Sequence, residues 1–199
     1  MHSIQNKSIA IDGCPINILS AGDFASTPLL FLHGKAFQAQ TWQELGTLDA
    51  AIQAGFSVVA LDLPGFGKSP AAELSAADVI SGVMKALTIV RAIVIGPSMG
   101  GKIGIEFTLT NPEKVAGLVL IGAVGVQENL DRLNELPAKT LILWGEVDPI
   151  SDPANGVLLN TAISGSELIV FKGAKHPCYL EHPKLWHQTL VNFAKTIAK

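Results

Sequence analysis

A serine hydroxyl is a poor nucleophile until a neighbouring base takes its proton, so a reactive serine needs an unusual backbone setting and a partner. One stretch of this chain supplies the setting. In Ala92-Ile-Val-Ile-Gly-Pro-Ser-Met-Gly-Gly-Lys-Ile-Gly104 an apolar run leads straight into Gly-x-Ser-x-Gly and then into a helical pattern. A strand-to-helix turn tight enough to lift the Ser98 hydroxyl off a sheet strains the backbone at Ser98, and side chains at Gly96 or Gly100 would collide there. The following helix turns its free amides and positive end toward the serine, where they favour a developing negative charge. Glycine and serine also fill ordinary βα turns, so the flanking strand and helix are what single out Ser98.

A base must lie within reach of Ser98, and a third group must orient that base. Of five histidines, His176 in Lys172-Gly-Ala-Lys-His-Pro177 follows the last apolar run, where the carboxyl end of a parallel sheet gathers its loops. His33 reads instead as a packed, hydrogen-bonded support for the turn at Gly34. His182 and His187 read as surface or packing residues, and His2 lies in a frayed end. For the orienting acid, Asp148 in Trp144-Gly-Glu-Val-Asp-Pro149 sits just past the fifth apolar run; Glu146 and Asp152 are its rivals. Pro149 restricts Asp148 to extended angles and favours it modestly. The chain order Ser98, Asp148, His176 is the nucleophile, acid, base order of the α/β-hydrolase fold.

These residues need a scaffold that brings strand ends together. Six short apolar runs punctuate the chain: 29–32, 58–61, 92–95, 118–121, 141–144 and 168–171. None alternates with polar residues, which suits strands covered on both faces, as in a parallel sheet. Stretches such as 40–53, 76–87 and 100–109 are long enough for crossover helices, so the class is α/β with right-handed connections. Segments 8–11 and 16–20 flank the turn dipeptide Asp12-Gly13 and predict an opening antiparallel hairpin. Leu185, Leu190, Phe193 and Ile197 predict a closing helix with an apolar side. Between Gly122 and Lys139, Leu130, Leu133 and Leu136 recur every three residues among charged neighbours, which predicts a helical turn or two lying on the domain. With no repeat and no Ser/Pro-rich linker, residues 1–199 read as one domain.

Of the 199 residues, 48% are apolar and 16% charged, against roughly 25% charged in an average domain, which excludes a disordered chain. The net charge of -3, with neither sign gathered into a block, argues against nucleic acid or an anionic membrane surface as partner. The longest uncharged stretch, 153–166, falls short of the roughly 20 residues of a spanning helix. The start lacks a secretory pattern, so Cys14 and Cys178 read as free thiols and the cytoplasm is the expected location. No His or Cys cluster has metal-ligand spacing, and neither a metal nor a cofactor is expected. Gly67-Lys68-Ser69 ends like a phosphate loop but has Asp62 where the first glycine belongs; a structural turn with Asp62 capping amides is expected.

Leu32-His-Gly34, Leu61-Asp-Leu-Pro-Gly-Phe-Gly-Lys-Ser69 and the Ser98 turn resemble landmarks of the α/β-hydrolases. More narrowly, 41–48 (TWQELGTL), 173–180 (GAKHPCYL) and Trp186-His187 are similar to the α/β-hydrolase domain-containing protein 14 family, over roughly 29–193. The resemblance implies an α/β-hydrolase fold, a mostly parallel sheet flanked by helices behind an N-terminal hairpin. It further implies a Ser98-Asp148-His176 triad and activity on short acyl esters, with removal of acyl groups from lysine as a variant; acyl transfer to a thiol is a further reading of the same chemistry. The family often has serine where this chain has Gly100, and Lys35-Ala36 replaces a bulkier pair. The amides of Met99 and Lys35 are the expected oxyanion donors, and Phe37, Trp42 and Tyr179 the expected acyl-pocket walls for a small-molecule acyl substrate. Many α/β-hydrolases insert a lid between the fourth and fifth crossover strands; here that connection is only Gly122 to Lys139, so no cap is expected. A perhydrolase shares the triad, and a binding module with a vestigial triad is the reading from another class. A dehalogenase would carry aspartate at the turn in place of Ser98.

Overall fold

The computed structural model describes residues 3–137 and 139–197; His2 lies outside them. The strands are β1 (Gln5–Ile11), β2 (Cys14–Ala21), β3 (Leu29–Phe31), β4 (Val58–Leu61), β5 (Ala92–Pro97), β6 (Val115–Ile121), β7 (Thr140–Gly145) and β8 (Glu167–Phe171). Each of the six apolar runs falls on a strand, the first with Leu32 just past the end of β3. They form one sheet in the order β1-β2-β4-β3-β5-β6-β7-β8, in which β1 and β2 are antiparallel to their neighbours and every other pairing is parallel. The opening hairpin turns at Asp12 (φ 47°) and Gly13 (φ 82°), left-handed angles that an Asp-Gly pair accepts.

The helices are α1 (Ala39–Glu44), α2 (Thr47–Gln53), α3 (Ala76–Ala86), α4 (Met99–Thr110), α5 (Ala154–Ala162), α6 (Cys178–Glu181) and α7 (Pro183–Lys195). Because successive strand side chains face opposite ways, each apolar run feeds two cores. Leu30, Val94, Leu120 and Ile142 pack against α3, α4 and α5 on one face. Phe31, Ile95, Ile121 and Leu143 pack against α1, α2 and α7 on the other.

Two expectations change, and a third gains detail. The single helix over 40–53 is broken in two by Gly46, whose φ of 79° no helix accepts. On α7, Leu185 is 46% exposed, and Trp186, fully buried, anchors the helix beside Leu190 and Phe193. The 122–139 connection holds a 3-10 helix (Gln127–Glu135), whose three-residue turn matches the leucine spacing. Leu133 and Leu136 are buried by it while Leu130 stays exposed. Among the described residues this short helix, packed on α4 and α5, is all that the connection carries, and no cap covers the sheet. No helix of the described residues is long and apolar enough to cross a membrane.

The chain leaves β3 for β4 on one side and returns to β5 on the other. A crevice opens where the winding direction reverses, at the carboxyl ends of β3 and β5.

Candidate active site

Ser98 stands at that crevice, between the last residue of β5 and the first of α4, with φ 50° and ψ -113°. A non-glycine residue holds such angles only when its surroundings fix it. Here they do: the Ser98 amide donates to Ile121 O (2.9 Å), and its carbonyl accepts from the amides of Gly101 (2.9 Å), Lys102 (3.1 Å) and Val124 (3.2 Å). The glycines are explained by contact. A Cβ on Gly96 would run into the Gly100 carbonyl, one on Gly100 would lie 2.8 Å from His33 O, and one on Gly101 would lie 2.6 Å from Ala123 Cβ.

The loops after β7 and β8 carry the acid and the histidine. His176 Nδ1 lies 2.7 Å from Asp148 Oδ2. The other carboxylate oxygen, Oδ1, accepts from the amides of Ile150 (2.8 Å) and Ser151 (2.9 Å), so the Asp148 side chain, wholly buried, is fixed at both ends. The rivals are occupied elsewhere: Glu146 accepts from the Gly173 amide (2.8 Å) and Asp152 from the Ala154 amide at the start of α5 (2.9 Å). The Val147 amide donates to Ala174 O (3.0 Å), lacing the two loops together.

Ser98 and His176 border one small, shallow hollow, whose other walls are Gly34, Phe37, Ile121, Tyr179 and two prolines, Pro97 and Pro177. Ser98 Oγ bonds no described protein group, which leaves it free to turn toward the ring; contacts of this kind commonly tighten when substrate binds. A wider hollow, of about 330 Å³, opens between α7 and the amino ends of β7 and β8 and contains none of these side chains.

On the β3 side, the amide of Leu63 donates to His33 Nε2 (3.1 Å), so the ring proton resides on Nδ1 and is donated to Gly34 O (2.9 Å). Burial lowers the His33 pKa, against the Gly34 bond and nearby Asp62, and keeps the ring neutral. Gly34 O also accepts from the Phe37 amide (3.0 Å). Across the planar peptide the Lys35 N–H therefore points away from both donors. Neither it nor the Met99 amide is committed to a described protein group. Asp62 secures the same loop: its carboxylate accepts from the Ala39 amide at the start of α1 (2.7 Å), the Lys68 amide (2.9 Å) and Asn17 Nδ2 (2.8 Å).

Of the expected pocket walls, Phe37 and Tyr179 line the hollow. Trp42 does not. It is buried behind Tyr179 with ring centroids 5.1 Å apart, and its indole N–H donates to Leu32 O (3.0 Å), making it a core residue that supports the wall. Cys178, fully buried, has its thiol pushed up to about 12, chiefly by burial and secondly by the Asp148 charge, and packs as an uncharged group. Among the described residues no set of three His, Cys, Asp or Glu side chains could hold a metal ion.

Gly122 is the site residue that sequence reasoning missed. It follows β6 at φ 50°, and a Cβ there would lie 3.1 Å from Asp148 Oδ2 and 3.2 Å from His176 Nδ1. A glycine directly after the apolar run 118–121 was the available signal, shared with many other glycines.

A parallel sheet with a strained serine at its switch point, and an acid and histidine from later strand ends, defines the class. Residues 27–137 match the family described as alpha/beta hydrolase fold, and the chain belongs to it. Within it the chain is ABHD14-like. It is 33% identical to a rat protein named putative protein-lysine deacylase ABHD14B, over 85% of this chain and 84% of that one, and 34% identical to the human protein of that name, over 83% and 81%. Among solved structures, a predicted CIB-like hydrolase from Thermoplasma acidophilum superposes with a TM-score of 0.93 at 27% identity, covering 98% of this chain and all of that one. A meta-cleavage product hydrolase from Pseudomonas fluorescens shares the fold, with a TM-score of 0.84 at 21% identity over 96% and 97%. Hydrolase activity follows from this family membership.

Proposed function

We propose that the chain is a serine hydrolase that removes short acyl groups through an acyl-enzyme. Ser98 Oγ attacks the acyl carbonyl while His176 Nε2 takes its proton, and Asp148 holds the ring tautomer and balances the imidazolium charge. The amides of Met99 and Lys35 receive the oxyanion, a contribution worth a factor of about 100 to 1,000 per donor. His176 returns the proton to the departing alcohol or amine, then activates a water that releases the acid and frees Ser98. The 2.7 Å bond from Asp148 to His176, beside a hollow that also exposes Ser98, is the observation that carries this reading.

The hollow's apolar walls and small size suit a short acyl group, and the uncovered sheet edge suits one displayed on a larger molecule. The names of the ABHD14B proteins make an acyl-lysine side chain a reasonable member of that class. A fluorophosphonate probe tests the reading: wild type should become labelled and Ser98→Ala should not. Absence of labelling in the folded wild type overturns it in favour of a binding module.

A further inference from the structure

Tyr179 is the second residue of α6, three residues after His176, and three aromatic rings pack against its own. It stacks on Trp42 at 5.1 Å and meets Trp186 edge-on at 6.2 Å and Phe37 edge-on at 6.5 Å. The residue is only 2% exposed, yet its hydroxyl bonds no described protein group. That oxygen is nonetheless absent from the sealed-off, unpartnered polar atoms, of which the described residues have none, so it keeps an opening. Tyr179 is also one of the residues that line the hollow.

The rest of that lining gives the hydroxyl its meaning. Gly34, Phe37, Ile121 and the two prolines offer no polar side-chain atom, and Ser98 and His176 are engaged in the reaction. Burial, and secondly the neighbouring Cys178, raise the phenol pKa above its ordinary value, so the group stays a proton donor at every working pH. A plain alkyl chain pressed against it would displace its solvent contact and leave a buried donor unpaired, which is costly. A site built to pair a hydroxyl discriminates strongly against ligands that lack the complementary atom.

We propose that the acyl group this enzyme takes carries a hydrogen-bond acceptor close to its carbonyl, an ether, hydroxyl or keto oxygen, and that the Tyr179 hydroxyl donates to it. Tyr179 is thereby a specificity-determining residue of the serine hydrolase reading, on which this inference rests.

Nitrophenyl esters in isosteric pairs test it: methoxyacetyl against butyryl, and lactoyl against isobutyryl, each corrected for its rate with hydroxide. Wild type should prefer the oxygenated member of at least one pair by about tenfold or more in kcat/KM. Tyr179→Phe keeps the ring and its stacking, and should reduce that preference to within about twofold. An unchanged preference, equal loss on both members of a pair, or no preference in wild type overturns the inference. Should Tyr179→Phe fold poorly, inhibition of wild type decides: methoxyacetate should inhibit at least about tenfold more tightly than butyrate, and equal inhibition overturns the inference. Turnover of any ester by wild type and none by Ser98→Ala keeps the hydrolase reading separate from that outcome.

Discussion

Asp148 grips His176 with one carboxylate oxygen and its own loop with the other, so the orientation of the ring is set by a side chain that cannot itself turn. Asp148→Asn keeps the shape but can offer an N–H to Nδ1, which selects the wrong tautomer. Turnover of a short nitrophenyl ester should fall about 10⁴-fold with the fold intact by circular dichroism. A loss below about tenfold would remove Asp148 from the proton-handling role.

Gly122 lies beneath that pair. Gly122→Ala adds a methyl group 3.1 Å from Asp148 Oδ2 in a residue with φ 50°, so it strains the backbone and displaces the carboxylate. The displacement should lower kcat about tenfold to a hundredfold with KM little changed, and the strain should cost about 1 to 2 kcal/mol in urea unfolding.

Ser98 is itself strained. Glycine adopts φ 50°, ψ -113° without penalty, whereas alanine does not. Ser98→Gly and Ser98→Ala should both be inactive, and Ser98→Gly should be the more stable by about 1 kcal/mol: strain relief of about 1 to 3 kcal/mol less the entropy glycine gains on unfolding. Equal midpoints in urea would mean that the serine carries no strain.

His33 predicts a pH effect on stability. Burial depresses its folded pKa below the ordinary 6.5, so the unfolded chain binds more protons at mildly acid pH. Its contribution is complete above about pH 6.5 and declines as pH falls toward the folded value. His187, also depressed by burial, adds in the same direction. Urea unfolding at pH 7.5, 6.5 and 5.5 should show little change over the first step and a loss over the second, smaller in His33→Gln.

The strands were readable because each is buried on both faces, which leaves an apolar run that no loop would tolerate. Gly96 and Gly100 were readable because a strand, a serine and a helix framed them. The break at Gly46 was not, since a glycine inside an apolar helical pattern has the same appearance whether it packs or turns. Trp42 and Tyr179 are aromatic neighbours in one stack, and only the three-dimensional contacts separate the one that faces the hollow from the one behind it. Gly122 stayed hidden for a related reason: its importance is the proximity of Asp148 and His176, far along the chain.

The three proposed reacting groups are unevenly anchored. Ser98 follows β5, deep in the sheet, whereas Asp148 and His176 follow β7 and the edge strand β8, whose Val170 is 48% exposed. Edge elements open at lower free energy than central ones. Heat or mild denaturant should therefore disarm the enzyme by fraying one border of the sheet, with acid and histidine leaving together because their loops are laced. The nucleophile would remain seated, and activity would disappear ahead of the bulk of the secondary structure. Amide exchange faster in β8 than in β5 would be its trace.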